Sequence, residues 1–233
     1  MIAFTPEERD AIALSGRVAA LAVVCAAPFA IGVAYVLARW RFPGKVVFDA
    51  LVHLPLVLPP VLTGYVLLVL LGPRGPIGSR LLDWFGVSVA FRWTGAVIAA
   101  AVMAFPLFVR SVRLSFEAIP RDLDEIAASL GAGPWHRFRR VLLPLSRQGI
   151  AAGSTLAFAK ALGEFGATIT FVSNIPGQTR TIALAIQSLT QVPGGDAGIG
   201  RLAIVSVLLS MGALAVSEWL ARRAVRRGTG NRA

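Results

Sequence analysis

Long apolar runs alternate along this chain with shorter segments that are rich in charged residues, glycine and proline. A run of about 20 helical residues, each rising about 1.5 Å, crosses the ~30 Å hydrocarbon layer of a bilayer. We therefore predict a transmembrane helix for each run of about that length: 18–37, 50–71, 93–109, 150–172 and 202–220. The pattern predicts an all-α, polytopic membrane helix bundle with about five transmembrane helices.

The amino-acid composition favours a membrane protein over a soluble one. Hydrophobic residues make up 56% of the 233 residues, charged residues make up 15%, and the mean hydropathy is +0.71. The loops are too short to fold alone, so we expect a single transmembrane domain over 1–233. The net charge of +11 does not indicate a nucleic-acid partner, because the basic residues flank the apolar runs and form no separate domain.

The distribution of lysine and arginine predicts the orientation of the bundle. With the N-terminus outside, the inside segments are 38–49, 110–148 and the tail from 222, which together hold 15 of the 23 basic residues. The outside segments hold 7. Because lysine and arginine concentrate on the cytoplasmic side of a membrane, we expect the N-terminus outside and the C-terminus in the cytoplasm.

A polar segment from Asp124 to Pro144 interrupts the apolar pattern on the predicted cytoplasmic side. A short apolar stripe at helical spacing precedes a break at Gly131 and Gly133, and Pro134 can open a second helix. We predict two short helices at an angle, forming an exposed knob; an amphipathic loop lying on the membrane surface is the alternative. The stripe comprises Leu123, Ile126, Ala127 and Leu130, and the second helix would place Trp135, Phe138, Val141 and Leu142 opposite Arg137, Arg139 and Arg140.

The fourth apolar run carries the ionisable residues Lys160 and Glu164, which lie on one helix face at i and i+4. A charge at that depth costs at least about 2.5–3.5 kcal/mol, so each group needs a partner or a polar cavity. Two interpretations follow: the face of Glu164 and Thr168 lines a pathway, or Lys160 and Glu164 form a structural pair. Small residues at 149, 153, 157 and 161 also recur every four positions, which permits a close helix or subunit contact.

A polar cluster follows this run on the predicted outer side. Its hydroxyls, amides and single guanidinium would suit an oxyanion at a pore mouth, although a solvated loop has the same composition. Thr179 is expected to cap a short helix that carries Ile182, Ile186 and Leu189 and is too short to span the membrane. The cluster comprises Thr170, Ser173, Asn174, Gln178, Thr179, Arg180 and Thr181.

Motifs of several enzyme classes are missing from the sequence. It contains no Gly-rich loop ending in Lys-Ser/Thr, no HExxH zinc motif, and histidines only at 53 and 136, so we expect no metal site and no nucleotide or other cofactor bound by this chain. A membrane-embedded enzyme using Lys160, Glu164 and His53 is a weaker hypothesis, because no nucleophile with a base and an orienting group can be identified.

Two groups of motifs identify a family resemblance. The spacing of Glu125, Ala127, Gly131, Val141 and Leu143-Pro144 resembles the EAA loop of ABC-importer permeases, although Ile126 stands where that family usually has alanine. Nearly the whole chain is similar to the molybdate permease subunit of bacterial ABC importers, through FPGK at 42–45, HLPLVLPP at 53–60, DWFG at 83–86 and LGEFGATITFVSNIPGQTRTI at 162–182.

The resemblance implies a type I ABC importer permease fold in a bacterial inner membrane. It implies a homodimer, a cytoplasmic ATPase dimer that binds ATP and magnesium, a periplasmic oxyanion-binding protein, and alternating access without catalysis by this chain. Sulfate, thiosulfate or tungstate are alternative cargoes. The residues expected to couple to the ATPase are Glu125, Ala127, Ala128, Gly131, Trp135, Phe138, Leu143 and Pro144; those expected at the path or gate are Glu164, Thr168, Thr170, Ser173, Asn174, Thr179 and Arg180.

Overall fold

The structure, a computed structural model, describes the backbone of residues 4–229 and the side chains of residues 4–216 and 219. Within this part of the chain the regular structure is helical throughout. Residues 222–229 of the basic tail continue the last helix, and their side chains lie outside the described set. The helices are α1 Pro6–Arg39, α2 Lys45–Val57, α3 Pro60–Leu71, α4 Gly78–Phe85, α5 Trp93–Glu117, α6 Arg121–Ser129, α7 Pro134–Arg137, a π-helix Phe138–Leu142, α8 Leu143–Leu145, α9 Arg147–Leu162, α10 Gly166–Val172, α11 Ile182–Leu189 and α12 Asp196–Thr229.

Three helices of the described chain are long and apolar enough to cross a membrane: α1, α5 and the Asp196–Val216 part of α12. Two bent helix pairs bring the number to five if each pair counts as one span. The pair α2 and α3 bends by 111°, and the pair α9 and α10 bends by 59°. The runs 50–71 and 150–172, each expected to form one transmembrane helix, each contain a bend, because Pro59 and Pro60 lack backbone N–H donors and the second pair breaks at Gly163.

Helix α5 lies at the centre of the bundle and packs against α1 and α9. The buried face of α1 is a ridge of small residues, which lets the two helix backbones approach closely. Lipid tails are as apolar as leucine, so close van der Waals packing of this kind is what holds helices together in a membrane. The alanines of the ridge are Ala19, Ala22, Ala26, Ala30 and Ala34.

The small residues of α9 make the second contact with α5. A Cβ atom added at Gly153 would lie 2.8 Å from Cδ2 of Phe108, and one added at Gly149 would collide with Cβ of Ser115. The hydroxyl of Ser111 donates a hydrogen bond to the carbonyl of Gly149 at 3.1 Å. The small-residue ridge expected on the fourth run therefore packs within the subunit, against α5.

The two bent pairs meet where they break. A Cβ added at Gly64 of α3 would lie 2.5 Å from the carbonyl oxygen of Ala167 in α10, and one added at Gly166 would lie 2.7 Å from Cβ of Pro60. Helices α3 and α10 are therefore in close contact near their first turns. The two breaks therefore lie next to each other, although Pro59, Pro60 and Gly163 themselves remain exposed.

Replacing Gly149 by alanine is expected to destabilise the bundle. Overpacking a tight contact costs about 1–3 kcal/mol, which exceeds the ~0.5–1 kcal/mol that alanine gains over glycine inside a helix. Gly212→Ala in α12 is the matched control, because a Cβ there meets nothing within 4 Å. The melting temperature of the purified protein in detergent should fall for Gly149→Ala and not for Gly212→Ala, and equal values would contradict the packing described.

Candidate functional site

The segment between α5 and α9 begins with a helix that ends in a well-defined turn. The N–H of Ala132 donates to the carbonyl of Ala127, and the N–H of Gly131 donates to that of Ala128, each at 3.0 Å. This pair of bonds is a Schellman motif, which needs a left-handed residue just beyond the helix. Gly131 supplies it with φ of +83°, as the sequence predicted for the break.

The second helix begins at Pro134, as predicted, and then widens into the π-helix. Pro144 explains the widening, because it has no N–H to donate to the carbonyl four residues earlier. The N–H of Leu143 instead reaches back five residues to the carbonyl of Phe138. The chain thereby passes through Leu143 and Pro144 into α9 with little interruption.

An ion pair holds the two short helices together. Nη1 of Arg137 lies 3.1 Å from Oδ2 of Asp124 and 3.3 Å from the carbonyl oxygen of the same residue. The sequence placed Arg137 on one side of this helix together with Arg139 and Arg140, but in the structure its side chain is half-buried and paired. Its guanidinium turns inward because Asp124 offers a partner across the break, whereas Arg139 and Arg140 remain exposed.

Aromatic side chains attach this pair of helices to the membrane helices. The ring of Phe138 lies 4.9 Å from that of Tyr35 in α1 and 6.2 Å from that of Phe116 in α5. Leu142, one turn later, is buried in the main core. Arg39 of α1 also donates to the carbonyls of Phe116 and Ile119 at 2.9 and 3.0 Å, which ties the ends of α1 and α5 together.

The surface of α6 and α7 that faces away from the bundle carries exposed apolar side chains. Leu130 is 83% exposed and Trp135 is 70% exposed, and Ile126 lies on the same open side. Exposed apolar side chains rimmed by polar residues mark an interaction surface. We call residues 121–142 the knob; the carboxylate of Glu125 and the methyl group of Ala128 are also on its exposed part, while Ala127 is half-buried.

Lys160 and Glu164 form an ion pair at the break between α9 and α10. Nζ of Lys160 lies 2.8 Å from Oε2 of Glu164, whose residue is only 2% exposed. The other carboxylate oxygen accepts the N–H of Ala167 at 3.0 Å. Glu164 therefore satisfies a backbone donor that the helix break sets free, as well as the lysine charge.

The pathway interpretation of the Glu164 and Thr168 face does not match this geometry. Both residues are buried inside the subunit, where α10 packs against α3 and α5. The physical reason is the bend at Gly163, which turns this face towards the protein interior instead of continuing a straight helix surface. The structure therefore favours the structural pair among the two alternatives.

The polar cluster beyond α10 bonds mainly to itself. The hydroxyl of Thr179 accepts the N–H of Ile175 at 3.0 Å and donates to the carbonyl of Ser173 at 3.2 Å. Nδ2 of Asn174 donates to the hydroxyl of Ser188 at 2.7 Å, and Oδ1 of Asn174 accepts from Nε of Arg180 at 3.0 Å. These groups fold the outer loop and are not a set of free donors.

The predicted helix cap at Thr179 is wrong, although the helix itself is present as α11. The residue before α11 is Thr181, and its own side chain does not cap. The hydroxyl of Ser15 in α1 accepts the first N–H, that of Ile182, at 2.7 Å. A residue from another helix supplies the cap, which no local pattern in the sequence could indicate.

An ion-pair cluster that no local pattern predicted lies at the N-terminal end of α1. Oε1 of Glu8 lies 2.6 Å from Nη2 of Arg201, and Oε2 of Glu7 lies 2.9 Å from Nη1 of Arg180. Glu8 also completes a capping box with Thr5 at the start of α1. The capping-box pattern was readable in the sequence, but the arginine partners are 193 and 173 residues away.

A second ion-pair cluster that the sequence did not predict joins the first turns of α2 to the C-terminal end of α5. Arg113 bridges Oδ2 of Asp49 at 2.7 Å and Oε1 of Glu117 at 2.8 Å. His53 lies one turn beyond Asp49, with Nδ1 2.9 Å from the carbonyl oxygen of that residue. These residues hold α2 against α5, and His53 belongs to this polar contact.

Residues 26–227 match the protein family described as binding-protein-dependent transport system inner membrane component. The molybdenum transport system permease protein ModB of Escherichia coli (strain K12) is 56% identical over 218 residues, covering 94% of this chain and 95% of that protein. ModB of Haemophilus influenzae is 50% identical, covering 96% and 98%. A probable sulfate transport system permease protein, cysT of Chlorokybus atmophyticus, is 37% identical, covering 78% of this chain and 63% of that protein.

Two solved structures share the fold. A bacterial ABC transporter involved in the import of the acidic polysaccharide alginate aligns with a TM-score of 0.74 and 18% identity, covering 94% of this chain and 80% of that chain. The inward-facing MetNI methionine ABC transporter aligns with a TM-score of 0.67 and 15% identity, covering 93% and 94%. The helical bundle expected from the sequence is therefore confirmed as the fold of ABC-transporter permeases.

Glu8→Gln is expected to destabilise the protein more than Glu7→Gln. Removing one partner of a fully buried ion pair costs about 3–5 kcal/mol of stability. Because the Arg201 side chain is 28% exposed, we expect Glu8→Gln to cost less than that. The Glu7 side chain is 68% exposed, so its pair contributes little, as for most surface pairs. Melting temperatures of the two variants provide the comparison, and an equal or larger loss for Glu7→Gln would contradict it.

Proposed function

The chain belongs to the family of binding-protein-dependent transport system inner membrane components, and from this premise we propose that it carries molybdate across the membrane for an ATP-driven importer. It is a permease subunit of an ABC transporter in the inner membrane and not an enzyme. The observation that supports molybdate is the 56% identity to a molybdenum permease over nearly all of both chains. The relative with a sulfate transport name is less similar and is matched over less of its length.

The cargo choice rests on similarity along the whole chain and not on a binding pocket. Sulfate, thiosulfate and tungstate resemble molybdate in charge and shape, so they remain the alternative cargoes. The donors of the outer cluster are mostly engaged within the loop, which gives this chain little means to discriminate between oxyanions. We therefore assign most of the selectivity to a periplasmic oxyanion-binding protein that docks on the outer face.

The orientation follows from the charge distribution. With the N-terminus in the periplasm and the C-terminus in the cytoplasm, most basic residues face the cytoplasm. The knob then projects into the cytoplasm, where a partner ATPase dimer would bind ATP and magnesium. The exposed carboxylate of Glu125 and the apolar side chains of Leu130 and Trp135 provide its contact surface.

The coupling proposal rests on how the knob is attached. Arg137 and the turn at Gly131 hold its two helices in one arrangement, so that it can move as a unit. Phe138 then transmits the movement to α1 and α5 through Tyr35 and Phe116. Closure of the ATPase dimer on ATP would rock these helices from an inward-open to an outward-open state.

The proposed assembly contains a second copy of the chain. Helix α2 has no buried residue, and many apolar side chains of α2 and α3 are exposed in the single subunit. A homodimer in which each copy contributes half of a central path would cover part of this surface. Thr170, Ser173, Asn174 and Arg180 would lie near its outer mouth, with Thr179 buried behind them.

Uptake of molybdate tests the cargo assignment. The chain, expressed with the ATPase and binding protein encoded beside it, should restore molybdate accumulation to cells that lack their own molybdate permease. Excess tungstate should compete strongly and excess sulfate weakly. Restoration of sulfate uptake without molybdate uptake would contradict the proposed cargo while leaving the transport class intact.

Gly131→Val is expected to uncouple ATP hydrolysis from uptake. A β-branched residue is strained at φ of +83°, so the turn that fixes the knob would be distorted. Gly133→Val is the matched control, because Gly133 has φ of −64° and ψ of 161°, which valine adopts readily. With both variants present at normal levels in the membrane, normal molybdate uptake by Gly131→Val would contradict the coupling role.

A further inference from the structure

A groove lies between α1 and the knob, and the transport proposal assigns no ligand to it. It has a volume of about 950 Å³ and runs along α1 from Pro28 and Gly32 to Arg39 and Trp40. Its far side is formed by the knob. The eleven helical steps from Pro28 to Arg39 rise about 16 Å, which is about half of the ~30 Å hydrocarbon thickness and thus one leaflet.

The two ends of this groove differ in chemistry. Around Pro28 and Gly32 its wall comes from the apolar run of α1, whereas Arg39, Arg137 and Asp124 line the other end. Two guanidinium groups and one carboxylate give that end a formal charge of +1. The wall therefore changes from apolar to basic along its length, as a site for an amphipathic anion requires.

The basic end is also incompletely paired. Nε of Arg39, Nε of Arg137 and Oδ1 of Asp124 have no hydrogen-bond partner within the described residues. Buried polar groups are nearly always bonded, so a ligand that brings acceptors would bond the two Nε–H donors of Arg39 and Arg137 with modest side-chain adjustment, whereas Oδ1 of Asp124, an acceptor itself, would stay outside that contact. A phosphate group matches a guanidinium in charge and geometry.

Aromatic residues lie at the basic end of the groove. Trp40 and Trp135 both line the groove beside the arginines, and tryptophan is enriched where the hydrocarbon layer meets the headgroups. In the proposed orientation this level is the cytoplasmic membrane surface. Basic pockets between helices on that side bind anionic headgroups.

We propose that this groove binds an anionic phospholipid of the cytoplasmic leaflet, with phosphatidylglycerol as its occupant. One acyl chain lies along α1 past Gly32, and the phosphate lies at Arg39 and Arg137. The headgroup thereby contacts both α1 and the knob, so the lipid becomes part of the joint that transmits movement. This inference uses the orientation given under the proposed function, but lipid binding itself does not depend on the cargo.

Two variants remove the two halves of the site separately. Gly32→Leu fills the apolar end without changing any charge, and it is compatible with the fold because a Cβ at Gly32 meets nothing within 4 Å. Arg137→Gln removes a charge from the basic end. The matched controls are Gly16→Leu, another open position on α1 outside the groove, and Arg140→Gln, an exposed arginine of the knob that does not line it.

Native mass spectrometry of the complex with its ATPase provides the measurement. Detergent-purified complexes are incubated with dioleoylphosphatidylglycerol or dioleoylphosphatidylcholine and then washed. The wild type and both controls should retain phosphatidylglycerol in preference to phosphatidylcholine. Gly32→Leu and Arg137→Gln should bind phosphatidylglycerol at least about tenfold more weakly, as expected for the loss of a charge-assisted hydrogen bond or of the space for the chain.

Four results would overturn the proposal. Equal retention of the two lipids would show that charge does not select the occupant, and unchanged binding in Gly32→Leu would show that the groove is not the site. Equal loss in Arg140→Gln would assign the binding to the general basic surface of the knob. If a second copy or the ATPase covers the groove, the wild-type complex will retain no phosphatidylglycerol, whereas a failure of molybdate uptake alone leaves all of these measurements unaffected.

Discussion

The structure depends on the close packing of α1 and α9 against the central helix α5, which their small side chains permit. Without a strong hydrophobic drive between helices in lipid, the bundle relies on the close approach that alanines of α1 and Gly149 and Gly153 of α9 permit. Because α5 is held on both sides, its inner end has a defined position. Phe116 at that end fixes Tyr35 and Phe138, and so the location of the knob follows from packing deep inside the membrane.

A second constraint explains the ionisable residues within the fourth apolar run. A helix that breaks inside the hydrocarbon layer must have its freed backbone groups satisfied by the protein itself. Glu164 does this for the N–H of Ala167, and Lys160 neutralises the charge that the carboxylate brings. At the other break, Pro59 and Pro60 have no N–H to satisfy, which lowers the cost of the bend. The charged pair is therefore a consequence of the break between α9 and α10.

The sequence predicted the features that are encoded locally. The helix ends at Gly131 and Pro134 follow from the conformations those two residues favour, and they were found where expected. The inward turn of Arg137 and the cap that Ser15 provides for α11 depend on residues brought together by the fold, so local patterns could not reveal them. The departure of Ile126 from the usual alanine has a simple structural counterpart, because this side chain is exposed on the outer surface of the knob.

Helix α1 connects both faces of the molecule. Its 34 residues extend about 51 Å, well beyond the ~30 Å hydrocarbon layer. Its N-terminal end carries the Glu8–Arg201 pair and the serine that caps α11, while its C-terminal end carries Arg39 and the tyrosine that packs on the knob. The outer loop is bonded largely within itself and therefore moves with the helices that hold it. A rigid-body shift of α1 relative to the rest of the bundle would consequently change the contacts at both of its ends at once. No continuous chain of polar contacts through the membrane is required.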